Sequence, residues 1–140
     1  MVMDTPDPAP SADTAAKDPA GQCTEFMDLL AYIYLQHGLP DKAAVLLLAR
    51  DLLEPDDTRV LLTLALAQVR SAKPGKALET LERLAILGAM SADFHLVRAQ
   101  ALQALERHAE AASAMRAYVA MLPAAARPSP AAQSAPSAFA

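Results

Sequence analysis

Leu30-Ala31-Tyr32-Ile33-Tyr34-Leu35-Gln36-His37-Gly38-Leu39-Pro40-Asp41-Lys42-Ala43 is the stretch that decides the fold. Its two alanines flank a Gly-x-Pro break, and both recur at one interval. Ala31, Ala65 and Ala99 are spaced by 34 residues, as are Ala43, Ala77 and Ala111 and the bulky set Leu47, Leu81 and Met115. A fourth column, Pro55, Ala89 and Pro123, marks the turn after each unit, with the middle unit departing. A small residue in each helix of a pair lets two backbones approach closely, while the bulky neighbour fills the space beside them. The pattern predicts an all-α chain of three repeats.

Working outward, apolar periodic runs cover roughly residues 25–37, 40–54, 58–71, 75–88, 92–106 and 108–122, with Pro40, Pro55 and Pro74 at their breaks. The turns between them are short, which makes neighbouring helices antiparallel. Thr24, Thr58 and Ser91 are expected N-caps, and Gly38 and Gly88 expected left-handed C-terminal residues. Residues 1–22 carry four prolines and scarcely a large apolar side chain, and read as a disordered Pro/Ala/Asp-rich tail. The Ala/Pro/Ser-rich stretch 123–140 reads the same way. The domain is thus placed at 23–122, with repeats at about 24–57, 58–91 and 92–123.

Composition narrows the function. Hydrophobic residues make up 54% of the 140 but aromatics only 4%, so the apolar fraction is mostly Ala and Leu, which favours helix over strand. The net charge of -4 offers no basic stripe for phosphate contacts, and no nucleic-acid partner is expected. A single cysteine, Cys23, fits a reducing compartment and reads as a bystander. The N-terminus has neither a basic nor an apolar signal region and no window reaches 18 apolar residues, so the expectation is a cytoplasmic protein without membrane insertion. His37, His95 and His108 lack partners at ligand spacing, so no metal is expected, and His95 reads as a hydrogen-bonded packing residue. The four glycines do not cluster into a phosphate loop, and Glu54, Asp56 and Asp57 read as a solvated acidic turn. No cofactor and no catalytic residue is expected; the chain reads as a non-enzyme.

The first helices of the pairs are apolar around the whole wheel, as in Phe26-Met27-Asp28-Leu29-Leu30-Ala31-Tyr32-Ile33 and Val60-Leu61-Leu62-Thr63-Leu64-Ala65-Leu66. The second helices read as one-sided: residues 76–87 set Ala77, Leu78, Leu81, Leu84 and Ala85 against Lys76, Glu79, Glu82 and Arg83, with Glu79 four residues before Arg83. In stacked pairs the first helices line the concave face. The repeat register puts Asp28, Tyr32 and Leu35, then Leu62, Leu66 and Val69, then Leu96, Gln100 and Gln103 on that face. Two readings of its leucines stand: buried inside a tightly wound stack, or lining a groove for an apolar or amphipathic peptide. On the last helix, where no polar helix follows Pro123, two readings stand as well: a second contact flank at Met115, Tyr118 and Met121, or a tolerably soluble alanine surface over which the tail folds back.

The motif Leu30-Ala31-x-x-Tyr34-x-x-x-Gly38-x-x-x-x-Ala43, followed by Pro55, resembles the tetratricopeptide repeat over nearly all of residues 24–122. That resemblance implies three helix-turn-helix units wound as a short right-handed superhelix. Repeats two and three depart from the motif: Gln68 and Leu102 replace the tyrosine, Arg98 the leucine, and Ala72 and Glu106 the glycine. Members that hold the acidic C-terminal peptide of heat-shock chaperones use Lys, Arg and Asn where this chain has Asp28, Tyr32, Leu62 and Leu66, so that ligand is disfavoured.

The plan of a short chain with three repeats opening on a hydrophobic helix, together with Phe94-His95-Leu96-Val97-Arg98-Ala99-Gln100-Ala101-Leu102 and the hairpin from Gly38 to Leu48, resembles the YscY-type chaperones of bacterial type III secretion. The resemblance implies a non-enzymatic cytosolic chaperone that binds an amphipathic segment of a YscX-like secreted component and delivers it to the export gate. Two other functions stay open: a translocator chaperone of the same system, and a scaffold that self-associates through its C-terminal flank as a homo-oligomer.

Overall fold

The computed structural model describes residues 19–127. The described chain is all-helical, with six α-helices and no strand: α1 (Pro19–Gln36), α2 (Pro40–Leu53), α3 (Thr58–Arg70), α4 (Pro74–Ile86), α5 (Ala92–Ala104) and α6 (His108–Met121), then a 3₁₀ turn (Ala124–Ala126). Each odd helix packs on the next even one as a hairpin, and each hairpin packs on its successor. α3 also touches α5, so the three hairpins stack as a helical repeat.

Helix ends follow local chemistry. Prolines open α1, α2 and α4, at positions where a missing N–H costs nothing. α1, α3, α4 and α5 all end in the same way. Leu39 N donates to Tyr34 O and Gly38 N to Leu35 O, and the pattern recurs with Lys73 to Gln68 and Ala72 to Val69, with Ala89 to Leu84, and with Arg107 to Leu102. This Schellman closure needs one left-handed residue per end. Gly38 (φ +70°) and Gly88 (φ +78°) supply it, and so do Ala72 (φ +61°) and Glu106 (φ +59°), the two positions that depart from the glycine of the repeat motif.

Four sequence expectations need correction here. Thr24 is not a cap but lies buried inside α1, its hydroxyl donating to Gly21 O at 2.9 Å. The residue in register with the caps Asp57 and Ser91 is Cys23, which has no oxygen to cap with, and the helix runs on to Pro19 instead. Residues 19–22, read as tail, are therefore helical; the rest of that tail lies outside the described residues. Thr58 gives way to Asp57, whose Oδ1 accepts from Arg59 N at 3.0 Å and Val60 N at 3.3 Å. Ser91 does cap α5, accepting from Phe94 N. Beyond Pro123 the chain makes an ordered turn in which Arg127 donates to Ala120 O and Leu122 O, satisfying carbonyls at the end of α6; residues 128–140 lie outside the described residues.

The core repeats with the sequence. Ala31, Ala43, Ala44 and Leu47 of the first hairpin enclose Val60, Leu64 and Ala67 of α3. One repeat on, Ala65, Ala77, Leu81 and Leu84 enclose Phe94, Val97 and Ala101 of α5. The third cluster, Ala99, Leu102, Ala111 and Ala114, has Leu78 against it but no further α-helix among the described residues. Leu47, Leu61, Leu64, Leu81, Leu84 and Leu102 are the largest buried side chains, each contributing about 1.5–3 kcal/mol. α3 is apolar all round because a hairpin packs on either side of it. One-sidedness does not extend to α2, which exposes Val45, Leu48 and Leu52 along one stripe.

Candidate functional site

The nine residues placed on the concave face divide in three. Leu35 packs on the first cluster, and Leu62, Leu66 and Val69 pack on the central one while remaining only partly buried. These leucines thus serve the core on one side and keep an edge toward the face. Leu96 is half-buried on α5. Leu62 also borders a hollow with Leu84, Met90 and the α4–α5 turn.

Tyr32 is 58% exposed and stands at a cleft between α1 and α3, lined also by Asp28, Leu47, Arg59, Val60 and Thr63. The cleft has an apolar floor and a rim of mixed charge. Gln100 and Gln103 are exposed and fall elsewhere, in an open groove between α5 and α6 with Ala99, Ala111, Ala112 and Met115. At its end His108 Nδ1 lies 3.1 Å from Gln103 Oε1, with the imidazole N–H donating. The structure thus joins part of the expected concave set to part of the expected C-terminal flank. Tyr118 is half-buried and Met121 exposed on α6, and neither lines this groove.

Asp28 is engaged within the fold. Its carboxylate accepts from Arg50 Nε at 2.9 Å and Nη2 at 3.3 Å, and Arg50, 5% exposed, also reaches Asp57 and Glu54. Arg83 bridges α4 to α2 through Asp51 at 2.8 Å and takes Asp56 at 2.9 Å, leaving Glu79 aside. The acidic turn is largely exposed, as expected, and is in addition an ion-pair hub between repeats. The hydrogen bond from Arg83 holds the Asp51 carboxyl below its ordinary range, against the opposing effect of its own burial. Sequence reasoning overlooked this hub because Arg50 lies 22 residues from Asp28 and Arg83 lies 32 from Asp51.

Other polar groups serve packing. Gln68, standing where the motif has tyrosine, is buried, and Thr80 Oγ1 donates to its Oε1 at 2.7 Å. His95 meets Phe94 edge-on at 5.1 Å, and its buried Nδ1 has no hydrogen-bond partner, contrary to the expected hydrogen-bonded role. Cys23 is exposed. Among the described residues no group of three or more His, Cys, Asp or Glu could hold a metal ion, and no helix is long and apolar enough to cross a membrane. The chemistry on offer is burial of apolar surface with a few polar contacts at the rim. Comparison with known proteins finds no matching family model and no matching curated protein.

Proposed function

We propose that this chain is a non-enzymatic chaperone of a bacterial type III secretion system, holding an amphipathic segment of a YscX-like secreted component in the cytoplasm and bringing it to the export gate. The observation that supports this most is the exposed Tyr32 at the mouth of the α1–α3 cleft, with the partly buried Leu62 and Leu66 at the positions one repeat on from Asp28 and Tyr32. A helix laid there would bury its apolar face against these side chains at about 25 cal/mol per Å². Arg59 and Thr63 at the rim would take its polar edge. The secretion assignment itself rests on the resemblance of the third repeat and first hairpin.

The test is co-purification with a YscX-like secreted protein from the same organism, followed by titration of the two purified proteins. Tyr32→Asp is expected to weaken binding tenfold or more with helix content unchanged, because the side chain already faces solvent. Leu66→Asp is expected to abolish the complex but also to unseat the central cluster, so Tyr32 separates binding from folding. Failure of the secreted protein to bind, or equal binding by Tyr32→Asp, overturns the proposal.

A further inference from the structure

The 34-residue register relates not only the repeats to each other but also the two ends of the stack. In the first hairpin Ala31, Ala43 and Leu47 form a seat that α3 fills. In the second, Ala65, Ala77 and Leu81 form the same seat, filled by α5. The residues in register in the third are Ala99, Ala111 and Met115, and these line the open α5–α6 groove, with no helix in it among the described residues. Leu81 is 2% exposed, whereas Met115 is 39%.

The helices that fill the two inner seats share two positions in register, Val60 and Ala67 of α3 with Phe94 and Ala101 of α5, while Leu64 of α3 is replaced by Val97, one residue off register, on α5. Moving back one repeat from α3 gives Phe26, Leu30 and Ile33 on α1, with Leu29 in register with Thr63 and Val97. Phe26 is 57% exposed where Phe94 is 4%, and Leu29 and Ile33 are exposed too. One end of this molecule thus carries an unfilled seat and the other carries the side chains that fill such seats.

We propose that a second copy of this chain occupies the α5–α6 groove, with its α1 inserting Phe26, Leu29 and Ile33 in the position α3 and α5 take within the chain. The contact continues the intrachain repeat packing across molecules. Ile33 is larger than Ala67 and Ala101, and the unbranched Met115 in place of Leu81 adapts to it. The two surfaces differ, so the interface is heterologous, and each added copy leaves one seat and one α1 unused. The inference is independent of the secretion reading, since it concerns the purified protein alone.

The test is light scattering of the full chain across a range of concentrations, with circular dichroism to verify helix content. The expected mass rises with concentration above the 14.8 kDa chain mass. Ile33→Glu and Met115→Glu are each expected to remain monomeric, since each spoils one surface. Mixed, they are expected to form a species of twice the chain mass and nothing larger, because the intact groove of the first takes the intact α1 of the second. Leu29→Glu, at a more exposed site, replaces Ile33→Glu if that variant loses helix. A wild-type chain that stays monomeric throughout, or a mixture that does not pair, overturns the proposal.

Discussion

Ala72 and Glu106 hold left-handed backbone conformations that cost an L-residue about 1–2 kcal/mol, because their helices close in the same hydrogen-bond pattern as the one ended by Gly38. Ala72→Gly and Glu106→Gly are each expected to stabilise the protein by about 0.5–1 kcal/mol, the relieved strain outweighing glycine's added entropy in the unfolded chain. Urea denaturation measures this, and an unchanged midpoint would refute it. The buried Gln68–Thr80 pair makes the opposite case. Thr80→Val leaves the Gln68 amide unsatisfied at a cost of about 1–3 kcal/mol, whereas Gln68→Leu combined with Thr80→Val removes both polar partners and is expected to regain most of the loss. A double-mutant cycle by denaturation reads the difference.

At the scale of elements, ion pairs join the hairpins where the acidic turn follows α2. Arg83 on α4 reaches back to Asp51 on α2 and to Asp56 in the turn. The Asp51 carboxyl is held below its ordinary value of 3.8, so the folded state favours its charged form. That contribution is complete above the pKa of the unfolded carboxyl and drains away as pH falls through the lower folded value. Unfolding followed from pH 7 to pH 2 is expected to show a steeper acid loss in the wild type than in Asp51→Asn. At pH 7 the variant is expected to be less stable by about 1 kcal/mol, Arg83 being well exposed. Curves that run parallel would show that the pair contributes nothing.

Across the whole molecule, one geometric relation recurs: a hairpin with paired small residues receives the first helix of the next. It accounts for why α3 is apolar on every side and yet mostly buried, and why α1, with the same kind of sequence, is not. It also separates the two proposed binding surfaces by chemistry. The Tyr32 cleft mixes charge with apolar surface, while the α5–α6 groove is nearly all apolar. Substitutions in one are therefore expected to leave the other intact, as binding measured separately for Tyr32→Asp and Met115→Glu would establish.

The sequence by itself determined the helices, their number and their stacking. Small residues recur where backbones must approach, and prolines or glycines mark all but the last of the breaks between helices, so the period is written in residue types. Ser91 as a cap and the turns at Gly38 and Gly88 were legible for the same local reason. Part of the candidate site was legible too, since register alone put Tyr32, Leu62 and Leu66 on the first helices. What only the tertiary structure decided depends on pairs distant in the chain. Asp28 meets Arg50, Arg83 prefers Asp51 to its helical neighbour Glu79, and Gln68 finds Thr80 across a hairpin. The same holds for the division of the concave leucines between core and surface and for the joining of Gln100 and Gln103 to Met115. Periodicity states which face a residue takes on its own helix; which other helix covers that face is settled only when the hairpins pack.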